Sequence, residues 1–171
     1  TFAGKMKGWQ LVQVYDIAHN IGKIETHEIE GQRLKVCVHR KGATRSYPAG
    51  HDALPARYKS AGQPVLIPGD MGTGSFVLVG QEKAMQETFG SACHGAGRVM
   101  SRTQATKASQ GRSIAKELAD RGVLVMAGSK GTLKEEIPEA YKNLQDVVQV
   151  VHDAGIAKKV ARLKSVSCIK G

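Results

Sequence analysis

Pro64-Val65-Leu66-Ile67-Pro68-Gly69-Asp70-Met71-Gly72-Thr73-Gly74-Ser75-Phe76-Val77-Leu78-Val79 sets two short apolar, β-prone runs on either side of a glycine-rich loop. Runs of this length bounded by Pro and Gly are read as strands, so a hairpin is expected here. The loop admits two readings. Its backbone N–H groups could cradle a phosphate, although no Gly-Lys-Ser/Thr closes it and a strand rather than a helix follows, so it is not a Walker loop. Alternatively it is a plain hairpin connection.

Upstream, Trp9-Gln10-Leu11-Val12-Gln13-Val14-Tyr15-Asp16 is β-prone and reads as a strand entering a site. A second hairpin is expected from His27-Glu28-Ile29 through Glu30-Gly31 into Arg33–Val38, with Leu34, Val36 and Val38 facing inward and Arg33, Lys35, Cys37 and His39 forming a basic outer face. Downstream, helices are expected over 82–89, 98–107 and 113–121, the last closed by Gly122. A strand is expected at 123–126. A further helix opens at Asn143 or Asp146 and stops at Gly155, and an alternating tail at 160–169 reads as one strand. No repeat, linker or low-complexity tract divides the chain. One α+β unit follows, with mixed β-sheets and flanking helices.

Chemistry concentrates in Phe89-Gly90-Ser91-Ala92-Cys93-His94-Gly95-Ala96-Gly97-Arg98. Gly95, Ala96 and Gly97 leave room for a phosphate against the backbone at the start of the helix expected next, where the dipole favours an anion. His94 then reads as an acceptor of a phosphoryl or nucleotidyl group. Equally, the stretch reads as a tight turn carrying an ordinary surface histidine. Cys93 beside His94 invites a zinc reading, but no local partners complete four ligands.

The 171 residues are 41% hydrophobic, enough for the core of one domain. Twenty-five Lys and Arg against fifteen Asp and Glu give a net charge of +10, which points to a polyanionic partner, nucleic acid first. Aromatic residues make up only 5%, so contact would be with phosphates rather than stacked bases. Three cysteines without a C-x-x-C spacing, and no signal peptide or long apolar run, lead to an expectation of a reducing cytoplasm and no membrane. The chain begins at Thr1 and reads as cut from something longer.

Asp16-Ile17-Ala18-His19-Asn20 stands where the first expected strand ends, a common place for catalytic or metal-binding side chains; a hydrogen-bonded structural histidine is the alternative. His39-Arg40-Lys41-Gly42-Ala43-Thr44-Arg45 reads as a basic loop suited to phosphate oxygens, or as a solvated charge run. Arg98 and Arg102, four apart, would share a helix face and bind a second phosphate. Tyr141 could stack a base or be a packing residue with a wet hydroxyl. Lys170 is either a tail charge or a side chain delivered to a site, and His27, His39, His51 and His152 read as surface or core fillers.

Together, Asp16–Asn20, His39–Arg45, Gly62–Gly69, Met71-Gly72-Thr73, Phe89-Gly90 with Cys93–Arg98, Pro138–Asn143 and Ile169-Lys170-Gly171 resemble, in order and spacing, the RtcB-type RNA-splicing ligases over essentially all 171 residues. The resemblance implies the RtcB-like fold and a GTP- and manganese-dependent ligase that joins RNA 2′,3′-cyclic phosphate or 3′-phosphate ends to 5′-hydroxyl ends, in tRNA splicing and RNA repair. It implies His94 as the nucleophile forming a histidine–GMP adduct, and His19 as a manganese ligand. Asn20, Pro68, Gly69, Asp70, Met71, Ser75, Gly95, Ala96, Gly97, Tyr141 and Lys170 are implied to surround the nucleotide, while Arg45, Arg98 and Arg102 are candidates for RNA phosphates. The family's other metal ligands, an Asp, a Cys and two further His, lie in an N-terminal part that residues 1–171 do not include. The chain is therefore expected to be a C-terminal portion, inactive alone, with that N-terminal part and archease as partners; the alternative function is an inert nucleotide- or RNA-binding module.

Overall fold

The computed structural model describes residue 10 and residues 12–170. A two-residue turn organises the first element. Glu30 and Gly31 have φ of 51° and 76°, the doubly positive geometry whose twist matches antiparallel strands. Around it β1 (Asn20–Ile29) pairs with β2 (Gln32–Lys41) along their whole length, from Asn20 opposite Lys41 to Ile29 opposite Gln32. The expected hairpin is present and longer than its apolar alternation suggests.

The basic run does not form a loop. Arg40 and Lys41 end β2, and β3 (Ala43–Arg45) pairs with β6 (Ser91–Cys93). Expected strands 64–67 and 75–79 are β4 (Pro64–Pro68) and β5 (Ser75–Gly80), and β8 (Ala157–Leu163) adds to the far side of β5. Helix α1 (Glu82–Thr88) stops at Phe89, which adopts φ 52°. Then follow α2 (Arg102–Ala108), α3 (Ile114–Asp120), β7 (Leu124–Ala127), α4 (Lys130–Glu135) and α5 (Leu144–Asp153). The tail strand is split in two: after β8 the chain turns, and β9 (Ser167–Lys170) runs parallel to β7. The α+β class with mixed sheets holds.

Two apolar clusters carry the fold. The first joins Val65, Ile67 and Leu78 of the three-stranded sheet to Leu144, Val148 and Val151 of α5, with Ala92 and Ala96 from the histidine stretch. The second gathers Met71, Ala105, Ile114, Leu118, Val123, Leu133 and Ile137 beneath β7 and β9. Helix α5 is amphipathic and capped at its start by the Asn143 side chain, which accepts from the N–H groups of Gln145 and Asp146.

Two further expectations are corrected. Residues 12–18 form no strand, and Trp9 and Leu11 lie outside the described residues. Val12 and Val14 remain 74% and 63% exposed, and the Val14 carbonyl accepts from the Tyr58 hydroxyl. No helix starts at Arg98. The backbone there is instead bridged to Tyr141, with Lys142 N–H donating to Gly97 and Val99 N–H to Ala140, so α2 waits for Ser101, whose side chain forms a capping box with Gln104. Helix α4 was not foreseen; Ser129 caps it through the N–H of Thr132.

Candidate active site

His94 follows directly on β6 and is placed by backbone contacts on both sides. Its N–H donates to the Gly42 carbonyl at 3.4 Å, and Gly42 N–H in turn donates to the His19 carbonyl at 3.2 Å. The two rings lie face to face, centroids 4.2 Å apart and 13° from parallel. Burial lowers the His94 pKa below the ordinary imidazole value, and the neighbouring His19 lowers it further. His94 is thus held neutral near pH 7, with a ring lone pair available.

The small residues after His94 meet the end of β4. Ala96 N–H donates to the Pro68 carbonyl at 3.1 Å, and a Cβ on Gly95 would lie 3.5 Å from the same oxygen. Pro68 is thereby brought beside Gly95 and Ala96. Because α2 begins only at Arg102, Gly95–Gly97 do not stand at its N-terminus, and the helix dipole expected there does not act on them.

The loop at 69–74 resolves as a self-contained hairpin connection. Asp70 Oδ1 accepts from the N–H groups of Gly72 and Thr73, Asp70 Oδ2 binds the Thr73 hydroxyl, and Gly69 N–H donates to Gly74. These donors are occupied within the loop and do not form an open phosphate cradle. Gly69 itself is required by packing, since a Cβ would fall 2.9 Å from the Gly74 carbonyl oxygen and 2.8 Å from Leu144 Cδ2. Met71 points into the second apolar cluster, and Ser75 begins β5 opposite Pro68.

Tyr141 lies on the other side of the histidine loop. Its hydroxyl donates to Glu136 and accepts from Arg98 Nη1 at 3.1 Å, while the Arg98 guanidinium stands 5.0 Å over its ring. Burial, reinforced by Glu136, pushes its pKa up to about 12. Asp70, Thr73, Tyr141 and Asn143 share a cleft of about 440 Å³, which brings two of the expected nucleotide residues together.

The arginine candidates separate. Arg98 also donates from Nε to Met100 O and from Nη2 to Glu135 O, and Nη1 pairs with Glu136, so its guanidinium is a structural clamp. Arg102 is exposed, with Glu135 at 3.5 Å. Arg45 stands 5.4 Å over the Tyr47 ring and lines a cleft with Asp16, Lys23 and Gln63. Asn20 opens β1 beside His19, and Lys170 reaches β7 by its backbone; its side chain lies outside what is described.

Sequence reasoning missed Arg40, Glu25 and Glu136. Arg40, only 2% exposed, grips Glu25 with two bonds of 2.7 and 2.8 Å, donates to Ser91 Oγ at 2.8 Å and reaches Phe89 O. A carboxylate on the inward face of a basic ribbon was the available signal for Glu25.

The RtcB family model, described as tRNA-splicing ligase RtcB, matches residues 1–171. This chain belongs to the RtcB family. It is similar to the tRNA-splicing ligase RtcB of Pyrococcus horikoshii, 59% identical over 158 residues that cover 92% of this chain and 18% of the relative. It is also similar to the protein of that name from Thermococcus kodakarensis, 54% identical over 170 residues, 99% of this chain and 35% of the relative. The Archaeoglobus fulgidus relative is 55% identical over 158 residues, 92% and 33%. This chain therefore spans about a third or less of those RtcB relatives.

Toward manganese His19 offers one imidazole, but among the described residues no group of three or more His, Cys, Asp or Glu could hold a metal ion, and Cys93 finds no zinc ligand set among them. The described residues by themselves do not make a complete metal site. Among the described residues, no helix is long and apolar enough to cross a membrane.

Proposed function

We propose that this chain is the nucleotidyl-transfer portion of an RNA ligase of tRNA splicing and RNA repair, with His94 as its nucleophile. The observation that carries the reading is the His94 ring itself: lowered in pKa, stacked on His19, and followed by Gly95-Ala96-Gly97 seated against Pro68. A neutral imidazole needs no loss of a proton before attack near pH 7.

In this reading a ring nitrogen of His94 attacks the α-phosphorus of GTP. A P–N bond forms, the bond to the β-phosphate breaks, and pyrophosphate leaves. The guanylate then passes to an RNA 3′-phosphate, freeing the imidazole, and the 5′-hydroxyl of the second RNA attacks that phosphate and expels GMP. A 2′,3′-cyclic phosphate would first be opened to the 3′-phosphate. Tyr141 and Asp70 border the cleft that would take the nucleotide, Lys170 is proposed to reach its guanine, and Arg45 and Arg102 are the remaining candidates for RNA phosphate contact. Manganese dependence belongs to the same proposal, with His19 as one ligand and the rest from the N-terminal part of the ligase. So do archease as activator and a reducing cytoplasm, which the three free cysteines suit.

The incomplete donor set favours one qualification of role: residues 1–171 alone would bind nucleotide or RNA without transferring guanylate. The test incubates GTP labelled at the α-phosphate, with manganese, with this chain and with a polypeptide of the relatives' full length containing it. An acid-labile adduct mapping to His94 is expected in the longer polypeptide only, and none after His94→Ala. A stable adduct on a lysine would overturn the nucleophile, and efficient labelling of the 171-residue chain would overturn the division of the metal site.

A further inference from the structure

The outer face of the β1–β2 ribbon has no role in the site described above. Residues at alternate positions of β2, namely Arg33, Lys35, Cys37, His39 and Lys41, point to that face, and all are exposed. Their common side is fixed by contact: Cys37 Sγ lies 3.2 Å from His39 Nε2, and the His39 ring lies 3.8 Å from where a Gly22 Cβ would stand. The register places Asn20, Gly22, Ile24 and Thr26 opposite Lys41, His39, Cys37 and Lys35. No carboxylate faces these positions; Glu28 opposes Arg33 at the hairpin tip. Among the described residues, none of Arg33, Lys35, His39 and Lys41 makes an ion pair.

This row of donors has a direction. Alternate residues of a strand are about 6.7 Å apart, so Lys35 to Lys41 spans about 20 Å of extended chain, a repeat on the scale of a stretched sugar–phosphate backbone. Lys41 is followed by Gly42, whose carbonyl receives the His94 N–H and whose own N–H binds His19. The other inward end is Asn20, next to His19. The row thus leads from the hairpin toward the stacked histidines. Apart from His39 the face carries no ring on which bases could stack, which suits contact with phosphates in any sequence.

We infer that the outer face of β1–β2 is a track for the backbone of single-stranded RNA, guiding a strand end to His94. The inference rests on the ligase reading for the identity of its ligand. Cations at Lys35 and Lys41 hold phosphates about 20 Å apart along the strand, His39 donates to a phosphate between them, and Ile24, 71% exposed, gives the sugars an apolar contact.

The test uses a polypeptide of the relatives' full length containing this chain, and follows its binding to single-stranded RNA ending in a 3′-phosphate as salt is varied. For a strand longer than about 20 Å when stretched, Lys35→Gln with Lys41→Gln should make the log–log salt slope shallower by about 0.7 for each lost cation. A strand too short to reach from Lys41 should be insensitive to Lys35→Gln. An unchanged slope with the long strand, in variants of unaltered thermal midpoint, would overturn the track. So would equal loss for short and long strands, or full competition by a polyglutamate of matched charge. Absence of guanylation in the unsubstituted polypeptide would instead overturn the ligase reading, because the RNA slope is measured without GTP.

Discussion

Arg40 and Arg98 hold opposite ends of the same histidine-bearing stretch by different physics. Arg40 is buried, clasps Glu25 in a two-bond pair, and pins Phe89 just before β6 and Ser91 at its start. Arg98, with a side chain 24% exposed, lies over Tyr141 and closes the loop onto Glu136 and the Glu135 carbonyl. The first is a desolvated ion pair, costly to break because its partner stays behind in the interior. The second is a partly wet network in which water can replace what is lost. One end of the loop is fixed for stability, and the other lies beside the cleft where a nucleotide would bind.

The contrast breaks first at Arg40. Arg40→Leu should cost about 3–5 kcal/mol of unfolding free energy, because Glu25 is left buried without its cation. Urea unfolding at neutral pH measures it, and a loss below that of Arg98→Leu would reverse the ranking. The pair also has an acid signature. Burial pushes the Glu25 carboxyl up, but hydrogen bonds from Arg40 and His27 outweigh it and hold it at about 2. A depressed folded value means that the stabilisation is complete above the ordinary carboxylate range and is lost as pH falls toward about 2. Glu25→Gln should flatten that acid limb.

Arg98→Leu should cost less, about 1.5–3 kcal/mol for charge-assisted bonds at a partly exposed site. It should also release the Tyr141 hydroxyl from one partner and disturb GTP binding more than Arg40→Leu does. Calorimetric titration with GTP of the full-length polypeptide decides this; equal weakening by both variants would erase the distinction between the two ends. The smallest effect belongs to the stack between them. His19→Asn removes a group that lowers the His94 pKa, so the His94 ring should titrate at higher pH, read from its NMR signals rather than from activity because His19 is also a proposed metal ligand. A downward movement would contradict the stacked geometry.

The legible parts of this fold were those with local causes. Glu30-Gly31, the apolar runs at 64–67 and 75–79, and the Asn143 and Gly155 boundaries of α5 each act through neighbouring residues. What escaped was set by partners far along the chain. β3 and β6 are three residues each and exist through each other, and the 98–101 backbone is pulled out of helix by Ala140 to Lys142. In the site, His94 was legible from its small neighbours, whereas Arg40 looked like one more cation in a basic run. Only its place on the inward face of β2, where it meets Glu25 of β1 and Ser91 of β6, makes it structural. The Asp70 loop was ambiguous for a related reason: whether backbone donors face a ligand or their own carboxylate depends on a side-chain rotamer.

The parallel pairing of β7 with β9 has a consequence for synthesis. During translation, Leu124–Ala127 emerges well before Ser167–Lys170, with α4, α5 and β8 made in between. Until β9 arrives, β7 has an unpaired edge and the second apolar cluster lacks its Cys168 flank, while Leu124 and Met126 face outward even in the finished ribbon. A nascent chain paused in that interval would present an adhesive strand to its neighbours on the polysome. Ribosome-bound chains halted before Ser167 should therefore recruit holdase chaperones more strongly than chains in which Ser167–Lys170 has emerged.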